Sequence, residues 1–419
     1  MLFNNKKNFL KKKYYFILLN KLRKKGIIWL IRKITIRIFR ECSWLILLPI
    51  AIILHLSGFK KLPIRVEHIG HLTTEIDTLM KAQMLGLISK DRRHFILAPK
   101  EITSNLHLLN YWKAHVNVTI ITNCIACHIL NILTYRFFMI DSSSNYLVKH
   151  FGTQPIYYIN QLWEKRAPLL KLNTEDENWS EIAFNELGIQ NKWYICIHVR
   201  EGGFLPHNEE IQSHRNATIE NMHLAIKEIT DRGGLVVRMG DPSMTRLFPK
   251  LGVIDYAHHA LKSDRLDVIL CAKAKFFLGC TSGLAFLSMV FGVPIAHANM
   301  IPIETLGIRY CDLSIPKLLI NNVNNEYLNF SEIFRSKLAG YFYTNQYKEA
   351  NITYLENTPD EILNLTKEML DRLENKFIET DEGIDLHQKY MNFFKMGHYS
   401  YGAISKVNIA FLKKYQHLI

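Results

Sequence analysis

Acidic side chains are missing from the first 40 residues, which contain 13 Lys and Arg and no Asp or Glu. The chain of 419 residues has a formal net charge of +14, so the rest of it is close to neutral. This excludes the basic body that is typical of nucleic-acid-binding proteins, and we expect no nucleic-acid partner. The cations are interleaved with Tyr14–Leu18 and Ile27–Ile31, which favours an anionic membrane surface as partner. A solvated basic arm is the alternative.

Long apolar runs are also missing. The apolar stretch Trp44–Leu54 covers about eleven residues and contains Pro49, whereas a membrane crossing needs about twenty. The basic region before it is too long for a secretory signal peptide, and no small-residue cleavage site follows it. We therefore predict that residues 1–58 form surface helices at the cytoplasmic membrane interface. A tilted or re-entrant span is the alternative.

Two nucleotide-binding sequence motifs are absent. Neither GxxxxGK[ST] nor GxGxxG occurs in the chain, so NTPases and dinucleotide-dependent enzymes lack their signatures. No cluster of His, Cys, Asp or Glu has clear metal-ligand spacing. We expect neither a cofactor nor a metal.

Cysteine is scarce and odd in number, with seven in the chain, and three of these lie in apolar runs, which favours a reducing compartment. Cys124–His128 spells the string for c-type haem attachment. Its neighbours, among them Ile125 and Ile129, are typical of a buried core, and we expect a core segment here. A haem site and a metal or redox pair are the alternatives.

Strand-like and helix-like apolar segments alternate along the chain, which predicts an α/β fold with parallel, doubly wound sheets. The expected parts are the membrane segment 1–58, a first Rossmann-like domain at 59–188, a second at 189–345, and C-terminal helices at 346–419 that pack back on the body. A cleft is expected between the two domains. The polar run 173–178 is the best linker candidate, with an ordinary surface loop as the alternative.

Strands of the first domain are expected at Ile64–Val66, His94–Leu97 and Val116–Ile120. The first of them leads into a helix from Thr73 to about Leu85. These assignments rest on apolar runs bounded by polar residues.

Three strands of the second domain end in residues suited to anions. Trp193–Ile197 runs into His198 and Arg200, Leu235–Val237 runs into Arg238 and Gly240, and Phe276–Leu278 runs into Thr281, Ser282 and Gly283. Ligands of open α/β sheets bind outside the carboxyl ends of the strands. The three ends therefore predict one anion site, most simply for a nucleotide pyrophosphate.

Each candidate binding residue is chosen for a chemical reason. Arg200 and Arg238 offer planar guanidinium forks that fit phosphate oxygens. A Gly283 turn with free N–H groups at a helix start also holds anions. His198 and Asn216 face the same strand end, and Glu304 suits ribose hydroxyls. The predicted donor-binding set is His198, Arg200, Asn216, Arg238, Gly240, Thr281, Ser282, Gly283 and Glu304, and the alternatives are solvent-facing, ion-paired, capping or core roles for the same residues.

The first domain offers a possible general base after its first strand. His71 or Glu75 could remove a hydroxyl proton near neutral pH, and Arg200 completes the predicted catalytic set. A loop histidine and a first-turn helix acid are the alternatives.

Taken together, these motifs resemble a family of bacterial glycosyltransferases found with surface-polysaccharide genes. The shared elements are the basic-apolar N-terminus, Ile69–Leu72, Ile197–Arg200, Arg215–Ala217, Val237–Gly240, Gly279–Gly283 and the C-terminal Ile404-Ser405 with Phe411-Leu412. The His-x-Arg element also resembles the fucosyltransferase branch of the GT-B fold, in which the Arg contacts the donor pyrophosphate.

The resemblance implies a metal-independent glycosyltransferase of GT-B type, peripheral to the cytoplasmic face of the inner membrane. The second domain would hold a nucleotide-sugar donor, and the first would present a glycan or a polyprenyl-linked acceptor. Two alternatives stay open, a catalytically silent nucleotide- or glycan-binding module of an envelope assembly complex and a nucleotide-sugar epimerase. The donor nucleotide, sugar, linkage and stereochemistry are open as well.

Overall fold

Two parallel sheets organise the chain. The computed structural model describes residues 2–88, 93–114, 118–134, 154–203 and 206–419, and side chains from residue 26 onward except 206–208. Over these residues the prediction of an α/β fold with parallel sheets is confirmed.

The small sheet contains β1 (Phe59–Lys61), β2 (Arg93–Leu97) and β3 (Val118–Ile121), in the order β1-β2-β3 and all parallel. The predicted strand at 64–66 is wrong, because pairing ends before Pro63, which has no N–H to donate. The start of the predicted third strand, residues 116 and 117, lies outside the described residues. The helices of this part are α2 (Ile69–Met84), α3 (Leu106–Lys113), α4 (Cys124–Leu133) and α5 (Pro155–Trp163).

The large sheet has seven parallel strands in the order β13-β9-β8-β7-β4-β5-β6. They are β4 (Tyr194–His198), β5 (Leu235–Arg238), β6 (Val253–Ile254), β7 (Phe277–Gly279), β8 (Ile295–Met300), β9 (Leu313–Pro316) and β13 (Lys406–Val407). Its helices are α6 (Thr174–Glu186), α7 (Pro206–Gln212), α8 (His223–Asp231), α9 (Asp264–Lys273) and α10 (Ala285–Val290). The C-terminal tail adds the edge strand β13, which pairs with β9.

A smaller antiparallel sheet follows, with β10 (Leu318–Asn321) between β11 (Glu326–Tyr327) and β12 (Ile352–Leu355). The remaining helices are α11 (Phe330–Arg335), α12 (Thr344–Glu349), α13 (Pro359–Leu373), α14 (Asp381–Met391) and α15 (Ile409–Lys414). Thr358 and Glu361 cap α13 reciprocally, with Pro359 in its first turn.

The linker predicted at 173–178 is instead the start of α6. The side chain of Asn173 accepts from the N–H of Asp176 and caps the helix. The polar residues that resemble a linker are the acids Glu175, Asp176 and Glu177 of the first turn, where they face the positive end of the helix dipole.

The N-terminal helix α1 (Leu2–Leu56) breaks at Gly26, which has a φ of 74°. The part from Gly26 to Leu56 is 31 residues long and almost wholly unburied, and by length and composition it is sufficient to cross a membrane. It is longer than the apolar stretch counted in the sequence because cationic residues continue the same helix. Its residues Leu47, Ala51 and Leu54 pack against Phe95 and Leu133 of the small-sheet part.

The two parallel sheets share one continuous apolar core, so the interface between them is packed. The core includes Ile96 and Trp112 from the small-sheet part and Cys196 and Phe277 from the large sheet. Helix α2 packs on α10, and α3 packs on α9.

The closest approach in this interface is between two glycine backbones. A Cβ atom at Gly70 would lie 2.9 Å from Gly283 Cα, and one at Gly283 would lie 2.8 Å from Gly70 N. Real Cβ atoms do not come this close to backbone, so any side chain at either position would push α2 away from the turn before α10.

We expect Gly70→Ala and Gly283→Ala each to destabilise the protein by about 1–3 kcal/mol, the usual cost of overpacking. Thermal unfolding measures the effect. Ser282→Ala is the neighbouring control and should cost less, because Ser282 contributes only a 3.4 Å capping contact to Leu284 N. Unchanged melting of both glycine variants would contradict the close approach.

Candidate functional site

The order of the large sheet reverses between β4 and β7. From β4 the chain builds β5 and β6 on one side and then returns to place β7, β8 and β9 on the other. In doubly wound sheets the carboxyl ends at such a reversal form the ligand crevice. His198 pairs with Gly279 at this point, so the segments following β4 and β7 line the crevice side by side.

Arg200 follows β4 and is fixed by backbone and side-chain contacts. Its N–H lies 3.0 Å from Cys280 Sγ, which ties the two strand ends together. Its Nη1 donates to Gln212 O at 3.0 Å and to the side-chain oxygen of Asn216. Glu209 Oε2 lies 3.7 Å from Nη1, and Asn216 also donates to this carboxylate at 2.5 Å.

A second guanidinium, that of Arg215, lies beside the first. Its Nε and Nη2 donate to Thr281 O at 3.1 and 2.7 Å, and its Nη1 donates to Gln212 Oε1. These acceptors are neutral, and across the described side chains no carboxylate forms an ion pair with Arg215. Burial and then the charge of Arg200 lower the pKa of Arg215 to about 10, so it remains cationic at neutral pH.

A buried lysine fixes the turn that carries Arg215. Lys317, which is 1% exposed, donates to His214 O at 3.1 Å and to Asn216 O at 2.7 Å. Thr344 Oγ1 lies 3.0 Å from Nδ1 of the buried His214. Burial lowers the pKa of Lys317, which is the cost of using an ammonium group to hold backbone carbonyls.

Arg238 does not reach this crevice. It is fully buried, and it donates to Asp255 Oδ1 at 3.0 Å and to Glu201 Oε1 at 2.8 Å. Its charge is balanced inside the protein, which favours the ion-paired alternative, and donor-phosphate binding by Arg238 stays a prediction. Gly240 follows Arg238 by two residues, and the position that a Cβ atom of Gly240 would occupy is filled by Met244.

The other predicted donor residues lie around the same edge. Thr281 accepts from Ile301 N at 3.1 Å through Oγ1. Nδ1 of His198 is enclosed without a hydrogen-bond partner among the described residues, and burial with the charge of Arg238 lowers the pKa of His198 to about 4. The helix after Gly283, α10, has only six residues, so it offers less to an anion than the longer helix that the sequence suggests.

Glu304 lies beyond β8, where it lines a cavity of about 340 Å³ together with Ser336, Lys337, Gly340 and Tyr341. Burial raises the pKa of Tyr399 to about 12, with contributions from Arg215, Glu304 and Glu75. All three charged groups thus act on Tyr399, a residue that the sequence analysis did not identify.

The predicted base candidates form a pair on the first turns of α2. Nδ1 of His71 lies 2.5 Å from Glu75 Oε1. Burial raises the pKa of Glu75, and the hydrogen bond from His71 opposes this shift. A carboxylate that accepts from Nδ1–H selects the tautomer whose basic nitrogen is Nε2.

This pair lies close to the turn that binds Arg215. Gly70, next to His71, touches Gly283, and Thr281 two residues earlier accepts from Arg215. The His68 ring lies 5.6 Å from the His71 ring. Burial is the main cause that lowers the pKa of His68, and the charge of Arg215 makes a minor contribution.

The segment Cys124–His128 is only partly core. Cys127 is buried, but Ile125 is 71% exposed and Ile129 is 46% exposed, so the expectation that these isoleucines belong to the core is wrong. Within the described ranges no group of three or more His, Cys, Asp or Glu side chains could hold a metal ion.

Comparison with known proteins gives similarities at the level of structure. No family model matches the sequence, and no curated protein matches it. A glycosyl transferase family 9 protein from Veillonella parvula is 10% identical, with 75% of this chain and 98% of that chain covered and a TM-score of 0.44. The ADP-heptose LPS heptosyltransferase II of E. coli is 14% identical, with 75% and 100% covered and a TM-score of 0.41.

A third match is the E. coli heptosyltransferase WaaC with ADP, 12% identical, with 62% and 91% covered and a TM-score of 0.31. All three are glycosyltransferases. At this identity and these TM-scores the likeness does not carry an activity over to this chain, so the proposed function depends on the residues of the site.

We expect Arg238→Ala to lower the free energy of unfolding by about 3–5 kcal/mol, because it leaves Glu201 and Asp255 without their buried partner. Denaturant unfolding measures the loss. Arg232→Ala is the matched control, since Arg232 is 29% exposed in its ion pairs and exposed pairs contribute about 0–1 kcal/mol. Equal losses in the two variants would show that the Arg238 pairs are not buried as described.

Proposed function

We propose that this protein is a glycosyltransferase of GT-B type that transfers a sugar from a nucleotide-sugar donor to a glycan or polyprenyl-linked acceptor in surface-polysaccharide synthesis. The observation that carries the proposal is the pair of guanidinium groups at the sheet reversal, Arg200 and Arg215. The His71–Glu75 pair lies nearby, because the first turn of α2 contacts the Gly283 turn. The proposal includes the predicted division into an acceptor domain at 59–188 and a donor domain at 189–345.

The donor side would neutralise a departing diphosphate. Arg215 donates to neutral carbonyl oxygens and Arg200 has one partly exposed carboxylate at 3.7 Å, so positive charge is left for an anionic ligand. Charges placed before reaction where negative charge develops are the largest source of catalysis in many enzymes. Two guanidiniums can serve this purpose without a metal ion. His198 and Glu304 are proposed to contact the sugar and ribose hydroxyls.

The acceptor side would supply the base. His71 Nε2 takes the proton of the acceptor hydroxyl while its oxygen forms a bond to the anomeric carbon of the donor. The bond from that carbon to the diphosphate oxygen breaks, and the nucleoside diphosphate leaves with the electron pair. Glu75 stabilises the resulting imidazolium, because it is a buried carboxylate 2.5 Å from Nδ1.

The His71–Glu75 pair favours a catalyst over a silent nucleotide-binding module, since a module needs the cations and not a positioned base. An epimerase is disfavoured by the anchor α1, because a soluble nucleotide-sugar substrate does not require a membrane.

We expect Arg200→Ala and Arg215→Ala each to weaken nucleoside-diphosphate binding roughly 10- to 150-fold, the equivalent of one charged hydrogen bond of about 1.5–3 kcal/mol. Arg→Lys should restore only part, because Lys keeps the charge and loses the fork. Calorimetry with UDP, GDP, CDP and dTDP measures the effect, and the partly exposed Arg265→Ala is the control. If the wild type binds none of the four, or both variants bind like wild type, the donor site is not here.

We expect His71→Ala to reduce turnover about 100-fold or more, the lower range of general-base catalysis, with unchanged donor affinity. Glu75→Gln should reduce turnover less, since Gln still positions the ring but does not stabilise imidazolium. Single-turnover sugar transfer measured beside donor calorimetry separates the two effects. Loss of donor affinity in step with turnover would assign the pair to donor binding or folding, and unchanged turnover in both would exclude it as the base.

A further inference from the structure

Helix α4 presents two large apolar side chains to the outside of the small-sheet part. Ile125 and Ile129 are one helical turn apart and therefore lie on one face, and they are 71% and 46% exposed. The opposite face of α4 carries the buried Cys127, and Leu133 at the end of the helix is buried as well. Neither isoleucine has a role in the proposed donor or acceptor site.

The same region is extended by α1, which packs against α4. One stripe of α1, Leu47, Ala51 and Leu54, faces the protein. Other side chains of this segment are exposed, including Ile46 at 77%, Ile53 at 63% and Leu56 at 79%. We call Ile46, Ile53, Leu56, Ile125 and Ile129 the apolar face.

The packing of α1 decides between a helix that crosses a membrane and one that lies on it. Its last part, residues 44–56, is fixed to β2 and α4 through Leu47 and Ala51, so this part cannot leave the protein to enter the hydrocarbon alone. The remaining part, residues 26–43, is about 27 Å long at 1.5 Å per residue. It contains Arg32, Lys33, Arg37 and Arg40, each costing about 2.5–3.5 kcal/mol inside a bilayer.

The cationic charge of residues 1–40 favours an anionic membrane as the partner of the apolar face. The 13 cations of residues 1–40 have no acid among them, which attracts an anionic leaflet at about 1 kcal/mol per cation near the surface. The same charges would repel each other across an interface between two copies of this chain. An exposed apolar face continuous with a cationic helix is the composition of an interfacial membrane anchor.

We propose that the apolar face docks the small-sheet part in the plane of an anionic bilayer, with α4 inserted beside α1 and no segment of residues 26–56 crossing the membrane. This inference deepens the proposed function, because a lipid-linked acceptor must meet the part of the protein that carries His71. It differs from a simple anchor in making α4, a helix of the folded body, part of the membrane contact.

The test uses the full chain and vesicles of phosphatidylglycerol mixed with phosphatidylethanolamine. Ile125→Glu combined with Ile129→Glu should weaken vesicle binding about tenfold or more, since two apolar side chains no longer enter the interface. Ile182→Glu is the matched control, because Ile182 on α6 is also exposed, at 62%, and lies outside the face. Hydrogen exchange should show amides of α4 protected by vesicles in the wild type and in the control.

Four results would overturn the proposal. The first two are vesicle binding of the double variant equal to that of the control and no protection of α4 by vesicles. The third is a lipid-free dimer of the wild type that the double variant abolishes, which would make the face an interface between copies. The fourth is resistance of the wild type to alkaline extraction, which would show a crossing helix. Nucleoside-diphosphate calorimetry on the same variants should be unchanged, so failure of the donor site and failure of the membrane face remain distinguishable.

Discussion

The turn from Gln212 to Asn216 is the constraint on which the site depends. It must hold Arg215 beside Arg200 although the two cations repel each other. Backbone carbonyls supply the attraction, because Lys317 binds the main chain of the turn and Arg215 binds Thr281 O. A carboxylate in place of these carbonyls would hold the turn more strongly, but it would cancel the charge that an anionic ligand needs.

Arg238, at the end of the neighbouring strand β5, is held by carboxylates and not by neutral carbonyls. Two carboxylate partners balance its charge, and through Glu201 and Asp255 it joins the loops after β4 and β6. The contrast between Arg215 and Arg238 separates a ligand-binding from a structural arginine by the acceptors around it. Burial alone does not separate them, since both are largely removed from solvent.

The sequence was sufficient for the features that depend on local pattern. Alternating apolar runs gave the parallel sheets, and strand-end chemistry placed Arg200 and Thr281 together. The spacing of His71 and Glu75, one helical turn, predicts that they meet once α2 is recognised. Partners far along the chain could not be read in this way. Asp255 lies 17 residues beyond Arg238, and nothing local distinguishes its ion pair from a phosphate contact.

Other differences have similar causes. The acid-rich start of α6 resembles a linker because helix N-termini and loops favour the same polar residues. Arg215 was visible in the sequence only as part of a motif, since its role depends on the neutral carbonyls that the fold brings to it. The exposure of Ile125 and Ile129 is a tertiary property, because an apolar helix on a sheet edge and one in a core have the same composition.

The close contact of Gly70 and Gly283 links the two halves of the proposed reaction. It places the first turn of α2, which carries His71, against the turn whose carbonyl binds Arg215. A small sheet that rests on a membrane through α1 and α4 would then bring a lipid-linked hydroxyl toward α2 from one side, while the donor enters from the large sheet. Since the shared core fixes α2 on α10 and α3 on α9, the two halves need not close over a wide cleft to bring base and diphosphate together. The separation between the acceptor base and the donor cations is thus set by backbone packing, and a single methyl group at either glycine would change it.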